Sequence, residues 1–132
     1  DFDRNYAIGP PSDAVRRAHD ALYAATDVAL ATLRPGMKAC ELYDILKRGL
    51  QDAGAVPGGG RMGHGLGITL TEWPSLTAKD TTELREGMVL TLEPGVEVAP
   101  GRFIVHEENI VLRADGPALL SSRAPAQLPQ ID

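Results

Sequence analysis

Cysteine is almost missing from this chain: Cys40 is the single thiol among 132 residues. A lone thiol forms neither an internal disulfide nor a cysteine zinc site, so the fold is expected to hold without such staples, in a reducing compartment with cytoplasm as the default. Positive charge is also scarce, with 13 Lys and Arg against 18 Asp and Glu and a net charge of −5. No run of Lys or Arg could neutralise several phosphates, which argues against a nucleic-acid partner. No stretch approaches the roughly 18 consecutive apolar residues of a membrane span, and no charged-then-apolar leader opens the chain, so no membrane partner is expected. An initiating Met is missing as well. The chain starts at Asp1 and runs at once into Phe2-Asp3-Arg4-Asn5-Tyr6-Ala7-Ile8, which reads as a strand already under way and suggests a fragment of a longer protein.

What is present suits one compact domain, because 43% of the residues are hydrophobic, enough for a core at this length. Gly9-Pro10-Pro11 breaks the opening strand. Ser12 is then a good N-cap, and Asp13 places negative charge in a first helical turn. Val15, Ala18, Leu22, Ala25, Ala29 and Leu33 recur at spacings of three and four, which predicts a helix over 12–33 with one buried stripe. Arg34-Pro35-Gly36 stops it. A second helix follows with Leu42, Ile45, Leu46 and Leu50 on its core side and Gly54 as a left-handed terminator. Beyond the Pro57-Gly58-Gly59-Gly60 loop the pattern turns to strands, expected at Leu66–Thr71, at Met88–Val98 with an interruption at Pro94-Gly95, and at Arg102–Arg113. The turn at Ala99-Pro100-Gly101 implies an antiparallel pair. The tail from Ala114, with Pro117, Pro125 and Pro129, is expected to be an edge excursion and an irregular end. The fold class is therefore α+β.

Three acids stand where burial is expected. Glu93 ends the apolar run Val89-Leu90-Thr91-Leu92, and Pro94 holds its backbone extended. Glu107 and Glu108 lie in Phe103-Ile104-Val105-His106-Glu107-Glu108-Asn109-Ile110-Val111, where aliphatic residues occupy both alternating faces, so neither acid reaches bulk water easily. A buried carboxylate needs a counter-charge. Arg102 and Arg113 point out of the strand ends, which leaves a metal ion as the expected one. His64 sits in Gly63-His64-Gly65-Leu66-Gly67, where the flanking glycines allow unusual torsions and close approach. Taken singly, each residue has an ordinary reading as a hydrogen-bonded core histidine, a rim glutamate or a flexible turn. Taken together, two strand carboxylates and one imidazole form the ligand mix suited to manganese, iron, cobalt or zinc.

These residues resemble a known family, the pita-bread metallopeptidases, which include methionine aminopeptidase, aminopeptidase P and prolidase, with creatinase as a metal-free relative. The shared segments appear in the family's order: Asp1-Phe2-Asp3-Arg4, Arg34-Pro35-Gly36, Gly63-His64-Gly65-Leu66-Gly67, Glu72-Trp73-Pro74, Gly87-Met88-Val89-Leu90-Thr91-Leu92-Glu93-Pro94-Gly95 and Glu107-Glu108-Asn109-Ile110-Val111. The likeness is strongest to the Xaa-Pro peptidase branch. It implies that residues 1–132 are the C-terminal part of a catalytic domain, the C-terminal half of a pita-bread fold with two helices packed on a curved, mainly antiparallel sheet. It also implies a peptide substrate, one or two divalent ions (manganese, cobalt, zinc or iron), and a homodimer for the full-length protein. Asp1 matches the second of the family's two aspartate ligands, because Arg4 completes Asp-x-x-Arg; Asp3 is the alternative. His64 matches the imidazole ligand, Glu93 the strand carboxylate that also shuttles a proton, and Glu107 the second bridging acid.

The resemblance implies hydrolysis by a metal-activated water, with His64 and Glu93 as catalytic residues and Asp1, His64, Glu93 and Glu107 as metal ligands. The family's first aspartate belongs to a strand that this chain does not contain. Many relatives carry a histidine where Thr71 stands, and aminopeptidase P and prolidase often carry an arginine where Val105 stands. His106 is read as a partly exposed strand residue and His19 as a surface residue on the polar side of the first helix. Two rival readings keep the fold: a creatinase-like, metal-free C–N hydrolase, and a binding module without catalysis.

Overall fold

A computed structural model of the chain describes residues 3–132. The first helix, α1, spans Asp13–Thr32, with the Ser12 hydroxyl accepting from the Val15 N–H and Asp13 in the first turn. Ala18, Leu22, Ala25, Ala29 and Leu33 are buried as the spacing predicts, whereas Val15 is half-buried. The second helix, α2, spans Ala39–Asp52 and buries Leu42, Leu46 and Leu50. Its start is fixed by Glu41, whose Oε2 accepts from the Lys38 N–H at 2.6 Å, the reciprocal half of a capping box. Gly54 follows its end at φ +73°, as a left-handed terminator should. The two helices meet closely because Gly49 faces Ala25, where a Cβ would lie 3.0 Å from Ala25 Cα and Cβ.

Nine strands accompany them among the described residues: β1 Ala7–Ile8, β2 Gly63–Gly65, β3 Glu72–Ser75, β4 Val89–Leu92, β5 Gly95–Ala99, β6 Arg102–Val105, β7 Glu108–Arg113, β8 Gly116–Leu119 and β9 Gln130–Ile131. Five form a sheet in the order β3-β2-β4-β7-β8, all pairs antiparallel. β5 and β6 form a separate antiparallel hairpin around the expected turn. The tail supplies the sheet edge as β8, then returns as β9 to pair in parallel with β1. The core is aliphatic and continuous, running from the α1 stripe through α2 to Leu84, Leu90, Leu92, Ile110 and Leu112.

Several strand boundaries differ from the sequence reading. Residues 66–71 form bends rather than a strand, and Ile68 and Leu70 are exposed. The flanking residues pair instead, as β2 and β3, with a register shift between His64 and Gly65. The opening segment is strand only at Ala7–Ile8 among the described residues. The strand expected over 88–98 is interrupted at Glu93-Pro94, close to the expected Pro94-Gly95 break, whereas the strand expected to run unbroken over 102–113 is cut in two at His106-Glu107. Pro94 has no N–H to continue the ladder, so the chain leaves the five-stranded sheet at Glu93-Pro94, runs out and back as the β5–β6 hairpin, and re-enters at His106-Glu107.

Candidate metal centre

The two crossing points between sheet and hairpin lie side by side, because β4 pairs with β7 and β5 pairs with β6. The His106 N–H donates to the Pro94 carbonyl at 3.1 Å across them. Each crossing carries one of the singled-out acids, Glu93 on the way out and Glu107 on the way back. The neighbouring β2 brings His64 opposite Thr91. One ligand atom from each of His64, Glu93 and Glu107 lies within 4.8 Å of the other two.

The local bonds orient this set. His64 is buried, and its Nδ1 lies 2.8 Å from the Gly65 carbonyl oxygen. A carbonyl only accepts, so Nδ1 carries a proton, which in the neutral ring leaves the lone pair on Nε2. Nε2 lies 3.7 Å from Glu93 Oε2. Glu107 is 2% exposed, and its Oε1 accepts from the Thr91 hydroxyl at 2.8 Å. Burial pushes the Glu107 carboxyl above its ordinary 4.5; the Thr91 hydroxyl opposes this, and the charges of Glu93 and Asp3 add to it. A cation held between Glu93 and Glu107 would reverse that penalty, and two carboxylates plus a neutral imidazole are a donor set that divalent ions accept. Glu93 is the least buried of the three and borders a cleft of about 530 Å³ lined by Gly58, Gly60, Arg61, Gly95, Phe103 and Val105.

His64, Glu93 and Glu107 are thus together, while Asp1 lies outside the described residues. Asp3 is exposed and acts on Glu107 through its charge. Thr71 is exposed and its hydroxyl accepts from Arg61 Nη2 at 3.4 Å. Cys40 is half-buried on α2. Sequence reasoning missed Thr91, whose one signal was a hydroxyl inside the aliphatic run Val89-Leu90-Thr91-Leu92 and which the structure places at 0% exposure. It also misjudged two histidines. His19 and His106 are each 1% exposed, because the tail folds over the polar side of α1 and the Pro125 carbonyl oxygen comes within 3.1 Å of His19 Nε2. The counter-charge of Glu108, moreover, is arginine rather than metal: Arg4 and Arg123 both pair with it.

His106 gives the site a pH signature. Burial first, and then the Arg123 charge, lower its pKa from 6.5 to about 4, against the pull of Glu108 and with smaller lowering contributions from His19 and Arg4. The neutral ring accepts from Arg123 Nη1 at 2.9 Å. Between pH 6.5 and about 4 the unfolded chain therefore binds a proton that the folded chain does not, so this contribution to stability is complete above 6.5 and is lost on acidification. Urea midpoints of the full-length gene product should fall from pH 7 to pH 5, and His106→Gln should remove part of that fall.

The model of metallopeptidase family M24 matches residues 1–114, which include Asp1, His64, Glu93 and Glu107. The chain belongs to metallopeptidase family M24. M24 enzymes use divalent metals, which accords with the His64, Glu93 and Glu107 cluster. Among M24 relatives, the Xaa-Pro dipeptidase of Pyrococcus furiosus is 30% identical over 120 residues, covering 88% of this chain and 34% of that protein. The X-Pro aminopeptidase of Thermotoga maritima superposes with a TM-score of 0.88 at 28% identity, covering 99% of this chain and 37% of that one. The dipeptidase PepE of Mycobacterium ulcerans does so with a TM-score of 0.84 at 32% identity, covering 96% of this chain and 34% of that one. The chain spans about a third of the length of these M24 relatives. Its two helices on a mainly antiparallel sheet are part of the pita-bread fold. Among the described residues, no helix is long and apolar enough to cross a membrane.

Proposed function

We propose that the full-length protein is a metal-dependent peptidase acting at the N-terminal side of Xaa-Pro substrates, and that residues 1–132 are the C-terminal part of its catalytic domain. The observation that carries this reading is the convergence of one imidazole and two carboxylates within 4.8 Å beside an open cleft. The relatives named Xaa-Pro dipeptidase and X-Pro aminopeptidase support the substrate class. His64, Glu93 and Glu107 would hold the ion, with Asp1 supplying a further carboxylate ligand and manganese or cobalt as the expected metals. A divalent ion bound there supplies Lewis acidity, polarising the scissile carbonyl and lowering the pKa of the attacking water.

The chain's own groups do the rest. Thr91 and burial hold Glu107 in one orientation. The Gly65 carbonyl fixes the His64 tautomer, as the outer partner of a metal-binding imidazole commonly does. Glu93, which lines the cleft, would take a proton from the attacking water and return it to the leaving amine. The full-length enzyme is further proposed to be a cytoplasmic homodimer. Chelation should abolish hydrolysis of Xaa-Pro dipeptides by the full-length gene product, and added Mn²⁺ or Co²⁺ should restore it. Hydrolysis that survives in metal-free protein, verified by elemental analysis, would overturn the reading.

A further inference from the structure

Behind the candidate metal centre lies a second cluster of buried charge that the proposed reaction does not use. Glu108 is 0% exposed and sits opposite Leu92, whereas Glu107 bonds to Thr91; as neighbours in β4, Thr91 and Leu92 project to opposite faces, so Glu108 points away from the side that Glu107 occupies. Its Oε2 meets Arg4 Nη2 at 3.1 Å, and its Oε1 meets Arg123 Nη1 at 3.2 Å and the Ala124 N–H at 2.8 Å. The two arginines come from opposite ends of the chain. Arg4 is anchored further by the Ser122 carbonyl at 2.7 Å. Arg123 is anchored on α1, by the Tyr23 carbonyl at 3.1 Å, Asp27 Oδ1 at 2.8 Å and the Tyr23 ring at 4.3 Å.

One contact links this cluster to the candidate ligands. Arg4 Nη1 donates to the main-chain carbonyl of Glu107 at 2.8 Å. That carbonyl belongs to the short crossing between β6 and β7, outside both strands. A guanidinium presents several donors in a rigid fork, so the same group that neutralises Glu108 also holds the peptide unit from which the Glu107 side chain projects. In the sequence Arg4 lies three residues after Asp1, the other acid matched to a bridging role.

We infer that Arg4 and Arg123, closing on the buried Glu108 carboxylate, are positioning residues that aim Glu107 at the metal. The inference rests on the metal-dependent reading above. Neither arginine would be a ligand: Arg4 acts through the Glu107 carbonyl, and Arg123 through the Glu108 side chain. Groups that orient metal ligands typically change metal affinity by about 10- to 100-fold when removed. The test uses the full-length gene product with Co²⁺ as probe, following affinity by titration and the ligand field by visible absorption, at temperatures where circular dichroism shows each variant folded. Arg4→Gln should weaken Co²⁺ binding about 10-fold or more and alter the absorption bands. Arg123→Lys, which keeps the charge and spares a variant that folds poorly, should show a smaller loss in the same direction. A loss of thermal stability with unchanged affinity and spectrum in both variants, while Glu107→Gln binds weakly, would make the cluster merely structural and overturn the inference alone. A wild-type protein that takes up no Co²⁺ would overturn the metal reading and this inference together.

Discussion

Glu107→Gln in the full-length gene product should bind divalent metal far more weakly and lose roughly 10³-fold or more of its hydrolytic rate, as expected when several kcal/mol of metal-derived stabilisation disappear. The same variant should be more stable than wild type in metal-free form. Glutamine keeps the shape and an oxygen able to accept from the Thr91 hydroxyl, but removes a carboxylate whose ionisation is opposed first by burial and then by the charges of Glu93 and Asp3. The sign with pH follows. A carboxyl raised above 4.5 in the folded state holds a proton that the unfolded chain has already lost, so stability falls as pH rises from the ordinary carboxylate value through the raised one. The stability advantage of the glutamine variant over metal-free wild type should therefore widen as pH rises through that range, with the His106 contribution common to both proteins, and saturating Mn²⁺ should cancel it. Thermal melts of the two proteins, with and without Mn²⁺, check all three outcomes. A variant with wild-type activity would exclude Glu107 as a ligand.

The second large effect belongs to a residue with no side chain. Gly63→Ala would place a Cβ 2.1 Å from the Thr91 carbonyl oxygen and 2.8 Å from Leu76 Cδ1, at φ +145°. The first clash is with backbone in the paired strand β4, which cannot swing aside. A cost of about 3 kcal/mol or more follows from combined overpacking and backbone strain. The relief available is to push β2 away from β4, which withdraws His64 from Glu93. Loss of metal affinity should therefore accompany the loss of stability, read from denaturation curves and metal titrations on the same samples. Wild-type values in both would mean that β2 does not sit against β4 as described.

The helices were legible because their signals are local: a serine cap, apolar spacings of three and four, and a glycine just past each end. The β5–β6 hairpin was legible from its turn for the same reason. The break at Glu93-Pro94 was legible from Pro94, read as an interruption at Pro94-Gly95; the break at His106-Glu107 was not, since aliphatic residues flank it on both sides and no proline or glycine marks it. Leu66, Ile68 and Leu70 alternate as a strand should, yet Ile68 and Leu70 are exposed and the segment bends. His19 and His106 looked exposed because what covers them arrives about a hundred residues later in the chain, or comes from another element. Within the site, Glu93, Glu107 and His64 stood out as charge or imidazole in apolar or glycine-rich surroundings. Thr91 did not, because threonine is ordinary in strands. The answer to Glu108's charge was invisible, since Arg4 and Arg123 lie at the two ends of the chain.

That last arrangement dictates an order of assembly during synthesis. A ribosome that has just released β7 has already supplied His64, Glu93 and Glu107, but Ser122, Arg123 and the β9 residues that pair with β1 are still to emerge. The nascent chain therefore carries two adjacent buried-type acids, with the second lacking one of its guanidinium partners until translation of this region is nearly finished. A product truncated before Ser122 would keep all of these candidate ligands in its sequence and lack the latch that sets one of them.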